Sequence, residues 1–280
     1  MDVVRSILTS RLMLIFGLCL IVTGTIATIG CRTAPVTNRR QLLVMSEEKE
    51  NAMGLTAYQQ VLKDEPVTRN QAAIDLVRRV GERIAAVADR PDFEWEFNVI
   101  DSPTQNAFCL PGGKVAVYTG ILPVCETEAG LAVVMAHEIG HAIARHGGER
   151  MSQSMAVDGA KVLAEKLAGK YYPNKQEILM KAYGVGSKYG VLLPYSRKQE
   201  SEADHIGVVL AAKAGYDPTV APSFWRRFGA LKENGQTPEF MSTHPSDERR
   251  AADLEGWLAE ANSFYQTSQT KHGRGDSIAA

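Results

Sequence analysis

A pair of histidines four residues apart constrains this chain more than any other feature. They stand in the run His137-Glu138-Ile139-Gly140-His141. At 3.6 residues per turn, side chains four apart lie one above the other on the same face of an α-helix. The two imidazoles can therefore bind one zinc ion from one side, and Glu138 can reach a water molecule on the same ion. The run is thus predicted to be a helix that carries a metal site.

The size and charge of the chain narrow the class of protein. The 280 residues are 45% hydrophobic and 22% charged, which suits one medium globular domain with small appendages. Lysine and arginine number 31 against 32 aspartates and glutamates, so the net charge is −1. Without a basic surplus, nucleic acid is not expected as a partner.

The N-terminus has the pattern of a segment that directs export. Arg5 and Arg11 precede the apolar run 12–30, and Cys31 follows directly. A basic start, an apolar middle and a small residue before a cysteine resemble a bacterial lipoprotein signal, in which the cysteine is lipidated and becomes the new N-terminus. The run is also just long enough to span a bilayer, so an uncleaved membrane anchor is the alternative.

Both interpretations of residues 1–31 tether the rest of the chain to a membrane. We therefore expect a cell-envelope protein on the periplasmic side, joined to its membrane by a polar linker over 32–44. Arg32, rather than an aspartate, follows Cys31. By analogy with lipoprotein sorting, this favours the outer membrane over the inner one.

Two cysteines remain in the part of the chain expected to fold. In an exported protein, Cys109 and Cys125 could form one disulfide. Equally, both could be buried thiols. Their spacing is not that of a zinc or redox site with two cysteines three residues apart.

The spacing of apolar residues before the histidine pair predicts two helices followed by a small sheet. One helix begins at Ser46 and a second near Thr68, where apolar residues repeat at helical spacing. Apolar and polar residues then alternate, which predicts strands over 93–99, 106–110 and 115–119. We expect the sheet to be antiparallel.

Helices predominate in the rest of the chain. The motif helix is expected to begin near Glu126, and apolar spacing with helix start and stop signals predicts further helices over 151–168, 196–214, 219–232 and 246–263. The domain is therefore predicted to span 45–263. The polar residues 264–280 are predicted to be a disordered tail.

The helix that opens at Ser196 supplies the best candidate for a third metal ligand. Ser196 and Gln199 form a capping box, and Glu200 and Asp204 share one face of the helix behind it. Two carboxylates so placed repel each other unless a cation or a donor lies nearby. Zinc bound to Glu200, and a ligand histidine that donates its second ring proton to Asp204, would remove that repulsion.

Several motifs together give the chain a resemblance to a known family. They are Asn106-Ala107-Phe108 with Leu110-Pro111-Gly112-Gly113, the histidine run, Ser196-Arg197 with Glu200-Ser201-Glu202-Ala203-Asp204, Gly215-Tyr216-Asp217-Pro218 and Thr243-His244-Pro245. In order and spacing they resemble the zinc metallopeptidases of the HtpX and CAAX-prenyl-protease type, which are gluzincins. The resemblance covers roughly residues 45–262 and is to an exported, lipoprotein-like branch.

This resemblance implies a fold and a set of roles. The fold would be a mostly helical α+β, zincin-like metalloprotease domain with a small antiparallel sheet, holding one Zn²⁺ per chain. Glu200 would be the third ligand beside His137 and His141, and Glu138 the general base. Asn106 and Ala107 would lie on the sheet edge that pairs with an extended substrate.

Other polar residues near the motifs have less certain roles. His244 could stabilise the oxyanion or close the site as a fourth ligand, although a structural histidine is the alternative. His146 is expected to cap the end of the motif helix rather than reach the metal. Glu202 is expected on the surface. Arg249 and Arg250 could pair with carboxylates near the cleft, but we interpret them as solvated helix charges.

Two functions follow from these residues. The first is an envelope endopeptidase that cleaves misfolded or membrane-associated proteins, with unfolded or extended polypeptides as its partners. The second is a zinc-binding envelope chaperone or assembly factor with little proteolysis. The presence of Glu138 favours the first, because a protein that only binds zinc needs no general base.

Overall fold

The computed structural model describes residues 31–171, 196–233, 239–244 and 249–278, and most of them are helical. The predicted signal or anchor, apart from Cys31, lies outside the described residues. Among the helices that are described, none combines the length and the hydropathy that a membrane span requires.

The longer helices occur where the sequence predicts them, within about five residues, whereas the one-turn helices α3 and α8 were not predicted. In chain order they are α1 (Glu47–Asp64), α2 (Gln71–Ala85), α3 (Leu122–Cys125), α4 (Glu128–Ile143), α5 (His146–Tyr171), α6 (Arg197–Lys213), α7 (Val220–Glu233), α8 (Phe240–Thr243) and α9 (Arg249–Thr267). The capping box at the start of α6 is formed, with the Ser196 and Gln199 side chains each bonded to the other's backbone. The fold is the mostly helical α+β type expected of a zincin-like domain.

A small mixed sheet lies against the motif helix α4. Its strands are β3 (Glu96–Ile100), β4 (Ala107–Leu110) and β5 (Lys114–Tyr118), in the order β3-β5-β4. β4 and β5 are antiparallel, but β3 and β5 are parallel, so the prediction of a wholly antiparallel sheet is wrong. The β4–β5 hairpin turns at Gly112 and Gly113, with φ of 85° and 80°, and it inserts β5 beside β3. This arrangement leaves β4 at the edge.

The motif helix α4 is buried along its whole length. It packs most extensively on α6, and two glycines allow the two backbones to come close. A Cβ at Gly140 would lie 3.0 Å from the Ala203 carbonyl oxygen, and one at Gly207 would lie 2.9 Å from the His137 backbone nitrogen. These glycines therefore set how near the two metal-binding helices can be.

Both ends of the described chain are folded, unlike the expected linker and tail. Within 32–44, β1 (Cys31–Thr33) and β2 (Arg40–Leu42) form an antiparallel hairpin. At the other end, α9 continues to Thr267, and the residues beyond it pack against the start of α4 rather than forming the expected disordered tail.

The contact with the start of α4 explains the order of the C-terminal segment. The first N–H groups of a helix have no acceptors within the helix. The backbone N–H groups of Glu128 and Ala129 donate to the carbonyls of Asp276 and Arg274, each at 3.0 Å. The Thr127 hydroxyl accepts the next N–H.

Of the two possibilities for the cysteines, the structure shows free thiols. Cys109 is partly buried and Cys125 is buried, and they do not form a disulfide. Burial raises the pKa of both thiols well above the usual range.

Candidate metal centre

Four buried side chains from three parts of the chain meet at one point. They are His137 and His141 on α4, Glu200 on α6, and His244 directly after α8. One donor atom from each can be chosen so that all four lie within 4.8 Å of one another. The sequence predicted the first three as ligands, and His244 as either a catalytic group or a fourth ligand.

The spacing of these donor atoms fits a zinc ion. With zinc–ligand distances of about 2.0–2.2 Å, tetrahedral donors are separated by roughly 3.3–3.5 Å. The His141 Nε2–His137 Nε2 distance is 3.1 Å, and the His137 Nε2–His244 Nδ1 distance is 3.3 Å. Glu200 places carboxylate oxygens 3.5 Å from His137 Nε2, 3.4 Å from His141 Nε2 and 3.1 Å from His244 Nδ1. Imidazole nitrogens and a carboxylate are also the donors that zinc prefers.

The protonation state of Glu200 suits this role. Burial alone would raise its pKa, but hydrogen bonds with the three histidines hold the pKa far below the usual range. The carboxylate is therefore ionised and available as a ligand. Its Oε2 atom is buried without a hydrogen-bond partner among the described residues, although it lies 3.3 Å from Arg250 Nη1 and 3.5 Å from His137 Nε2.

His137 is supported from behind by a buried ion pair. Its Nδ1 atom lies 2.9 Å from Asp204 Oδ1, the contact predicted for Asp204. Arg250 donates to both Asp204 oxygens at 2.7 Å, and its guanidinium carbon lies 3.6 Å from the Trp225 ring centroid. Burial opposes ionisation of Asp204, but Arg250 and His137 together lower its pKa.

The prediction that Arg250 is a solvated helix charge is wrong. Its side chain is 5% exposed. In the sequence Arg249 and Arg250 look alike, and only the packing of α9 on α6 turns Arg250 inward. The available signal was Asp204, since a carboxylate so close to Glu200 needs a cation nearby.

His141 is supported by a longer chain of contacts. Its Nδ1 atom lies 2.8 Å from His146 Nδ1, and His146 Nε2 lies 2.9 Å from Glu202 Oε2. Glu202 also accepts hydrogen bonds from Thr37 and Arg39 of the N-terminal hairpin. Against the cost of burial, these donors lower the pKa of Glu202 to about 2.

In this second network one prediction holds only in part and another fails. His146 was expected to miss the metal and cap the end of the motif helix, because five residues along a regular helix rotate the side chain away, and it does lie outside the donor set. However, α4 ends at Ile143 and Arg145 has a φ of 56°, so the chain turns and brings His146 back beneath His141. Glu202 was expected on the surface, yet it is 4% exposed because α5 and the hairpin cover that side of α6.

Glu138 lies beside the donor set, close to His244 and His137. Its Oε1 atom is 3.5 Å from His244 Nε2 and 4.0 Å from His137 Nε2. That oxygen is buried and has no hydrogen-bond partner among the described residues. Burial raises the pKa of the carboxyl to about 7, with His244 opposing the rise. A carboxyl with such a pKa can both take and return a proton near neutral pH.

The predicted substrate-binding residues lie at the edge of the sheet. Ala107 is buried at the first position of the edge strand β4. The Asn106 side chain accepts the Ala107 N–H at 2.9 Å, and its carbonyl accepts from Tyr118. A cavity of about 460 Å³ runs beside this edge, lined among others by Leu110 and His141. Contact of Asn106 and Ala107 with substrate stays a prediction.

The fold and the donor set define a class of protein. A buried helix with two ligand histidines and an adjacent glutamate, and a third ligand from a second helix, are the features of a zincin-type metallopeptidase. The chain belongs to peptidase family M48, whose family model matches residues 72–258. It is therefore a metalloendopeptidase, a hydrolase that uses zinc.

Relatives of known activity support this assignment. The chain is 38% identical over 269 residues to the mitochondrial metalloendopeptidase OMA1 of Schizosaccharomyces pombe, covering 94% of this chain and 77% of that protein. It is 30% identical to the human mitochondrial metalloendopeptidase OMA1, over 81% of this chain and 46% of that protein. The beta-barrel assembly-enhancing protease of Escherichia coli is 26% identical over 75% of this chain and 44% of its own length.

Proposed function

We propose that this metalloendopeptidase cleaves extended segments of misfolded or membrane-associated proteins. The observation that carries the proposal is the position of Glu138. Its buried Oε1 atom has no hydrogen-bond partner among the described residues and lies beside the four side chains whose donor atoms fit zinc. A site that only stored zinc would have no use for a buried carboxyl there.

The residues of the site divide the reaction between them. Zinc, when bound, polarises the scissile carbonyl and acidifies a water molecule. His137, His141 and Glu200 would hold the ion, and Asp204 would keep His137 in the ligating orientation. Glu138 takes a proton from the attacking water and returns it to the leaving amine.

The edge strand supports a preference for extended substrates. β4 is paired only on the side of β5 within the described sheet, so its other side can hydrogen-bond to an added strand. Main-chain pairing recognises extended conformation more than sequence, and the neighbouring cavity can take side chains. Unfolded segments satisfy both requirements, whereas folded domains do not.

The location of the protein is also a proposal, and it rests on the sequence of the first 31 residues. We place the enzyme at the periplasmic side of a bacterial cell envelope, tethered through a lipid on Cys31 or through an uncleaved anchor. We also propose that the chain is more closely related to the HtpX and CAAX-prenyl-protease peptidases, within a lipoprotein-like branch. The relatives are named as mitochondrial enzymes and as β-barrel assembly-enhancing proteases.

One observation favours the second candidate, a zinc-binding assembly factor with little proteolysis. His244 Nδ1 lies within the donor set, at a distance that fits a fourth ligand. Four protein ligands complete a tetrahedral site, while catalysis needs one position for water. In the endopeptidase, His244 must therefore withdraw from this position before substrate is cleaved.

The test is cleavage of unfolded casein by the detergent-solubilised chain, with and without a chelator. Glu138→Gln should retain stoichiometric zinc and lose activity by about 10²–10⁴-fold, as expected for removal of a general base. His244→Ala should retain zinc through the other three ligands and cleave at least as fast as the unmodified chain. Equal activity of the Glu138→Gln variant would refute the role of Glu138. Zinc binding and client binding without cleavage in all three proteins would favour the assembly factor.

A further inference from the structure

The metal-facing atoms of the two motif histidines fix where their ring protons must be. His141 turns Nε2 towards the donor set, 3.1 Å from His137 Nε2 and 3.4 Å from Glu200. A ligating nitrogen must offer its lone pair, so the proton of neutral His141 lies on Nδ1. That Nδ1–H points away from the metal site, at His146 Nδ1.

The direction of each following hydrogen bond is then determined. Because His141 donates, His146 Nδ1 must accept, and the proton of neutral His146 lies on Nε2. His146 Nε2–H in turn donates to Glu202 Oε2 at 2.9 Å. An ionised carboxylate can only accept, so each donor in this series meets an acceptor.

The far end of the series is held by the N-terminal hairpin. Arg39 donates from Nε to Glu202 at 2.7 Å and from its two terminal nitrogens to Glu149 at 2.8 and 2.7 Å. Gln199 donates to the same Glu149. Arg39 thus lies between two nearly buried carboxylates from α5 and α6 and offsets part of their charge.

We propose that His146, Glu202 and Arg39 are positioning residues that hold His141 in the zinc-ligating tautomer and orientation. The N-terminal hairpin is then part of the metal centre, although none of its atoms faces the donor set. This inference rests on the proposed zinc site. It differs from a purely structural role, because it ties side chains of the hairpin and of α5 to the affinity for metal.

The network also makes a graded prediction. The effect of a substitution on zinc should fall with the number of hydrogen bonds that separate the residue from His141. Loss of the group that orients a ligand histidine usually weakens metal binding by about 10–100-fold. We therefore expect that loss for His146→Ala, a loss below about tenfold for Glu202→Gln, and a still smaller loss for Arg39→Ala.

Zinc affinity of the full chain, measured by competition with a chromogenic chelator, tests this order. His146→Asn is the conservative variant, since its amide oxygen can accept from His141, and it should recover most of the affinity lost in His146→Ala. Two controls match the variants in chemistry and location. His205→Gln removes a histidine on α6 that bonds Glu260 instead, and Arg40→Ala removes the exposed arginine next to Arg39. Both should bind zinc as the unmodified chain does.

A spectroscopic readout separates positioning from folding. In Co²⁺-loaded protein, the visible absorption bands report the ligand geometry. They should shift in His146→Ala and remain in place in His205→Gln. Circular dichroism of each metal-free variant shows whether it is folded. Unchanged zinc affinity and unchanged bands in a folded His146→Ala variant would overturn the proposal.

A measurement on the unmodified chain covers the case in which the variants do not fold. Nitrogen-15 spectra of labelled histidines distinguish the two neutral tautomers. His141 should carry its proton on Nδ1 and His146 on Nε2 in the zinc-loaded protein. Coordination of the metal through His141 Nδ1 would refute the inference even if the enzyme binds zinc and cleaves casein. If the unmodified chain bound no zinc, the proposed function would fail instead.

Discussion

The two histidines of the motif lie four residues apart on one helix, yet they are oriented by different networks. One network ends at an arginine near the C-terminus and the other at an arginine near the N-terminus. His137 contacts Asp204 directly, and Arg250 of the C-terminal helix completes a short buried network. His141 reaches a carboxylate only through His146, and its network ends on Arg39, which is 25% exposed. Two ligand histidines of the same motif can therefore be oriented by different networks. We call these networks the His137 side and the His141 side, and we expect them to respond differently to substitution.

The largest effect should come from removing the cation on the His137 side. Arg250→Ala leaves the Asp204 carboxylate buried without its partner, which should lower the free energy of unfolding by about 3–5 kcal/mol. Urea denaturation of the metal-free protein measures this. Arg249→Ala, at the exposed neighbouring position, should change the same quantity by less than about 0.5 kcal/mol. Similar losses in the two variants would mean that the ion pair is not what stabilises this side.

The second prediction compares the Asp204 and Glu202 carboxylates by their effect on the affinity for zinc. Asp204→Asn alters the group that touches a ligand histidine, so the dissociation constant for zinc should rise by about 10–100-fold. Glu202→Gln acts through His146 and should raise it by less. Isothermal titration with competing chelator determines both constants. The reverse order would show that the longer network is the stronger support.

A backbone substitution should disturb the contact between α4 and α6 next to His137. A Cβ at Gly207 would lie 2.9 Å from the His137 backbone nitrogen, so Gly207→Ala must push α6 away from α4. Overpacking of this kind costs about 1–3 kcal/mol of unfolding free energy. Gly229→Ala, on α7, is the matched control, because apart from the backbone of its own helix and its chain neighbours no atom of the described residues lies within 4 Å of the added carbon. It should be neutral or stabilising by up to about 1 kcal/mol. Equal stability of the two variants, measured by thermal denaturation, would contradict the close contact of the helices.

The last comparison is a pH dependence on the His141 side. Although burial opposes ionisation, hydrogen bonds from His146, Thr37 and Arg39 lower the pKa of Glu202 from 4.5 to about 2. The unfolded chain therefore binds this proton at a higher pH than the folded chain does. The stability that Glu202 contributes is complete above about pH 4.5 and is lost as the pH falls towards 2.

The comparison of the metal-free chain with Glu202→Gln at pH 7, 4 and 2.5 measures this loss. The advantage of the unmodified chain should shrink over that range. Glu255→Gln, which removes a half-exposed partner of Arg226, should differ from the unmodified chain by less than about 1 kcal/mol throughout. A constant advantage of Glu202 down to pH 2.5 would show that its ionisation does not stabilise the fold.

The sequence predicts the parts of the site that depend on local geometry. Helical spacing puts His137 and His141 on one face, and the capping box at Ser196 sets the helix that presents Glu200 and Asp204. Each of these inferences needs only one helix at a time. The structure brings these side chains together where α4 and α6 cross.

The parts that the sequence did not predict depend on contacts between distant segments. His146 reaches His141 because the backbone reverses at Arg145, which a regular helical projection cannot show. Arg250 looks like a surface charge until α9 packs on α6, and Glu202 looks like one until α5 and the hairpin cover it. The sheet has the same limit. Alternating apolar and polar residues predicted its strands, but not that β5 lies between β3 and β4.

The contact between the C-terminal segment and the first turn of α4 has a consequence for biosynthesis. The acceptors for the Glu128 and Ala129 N–H groups lie at Asp276 and Arg274, which leave the ribosome long after the helix itself has emerged. Domains begin to fold from the N-terminal side as they are translated. The helix that carries the zinc-binding histidines thus gains these backbone partners only after Asp276 has been translated. Until then, the first turn of this helix lacks its native hydrogen-bond acceptors in the nascent chain.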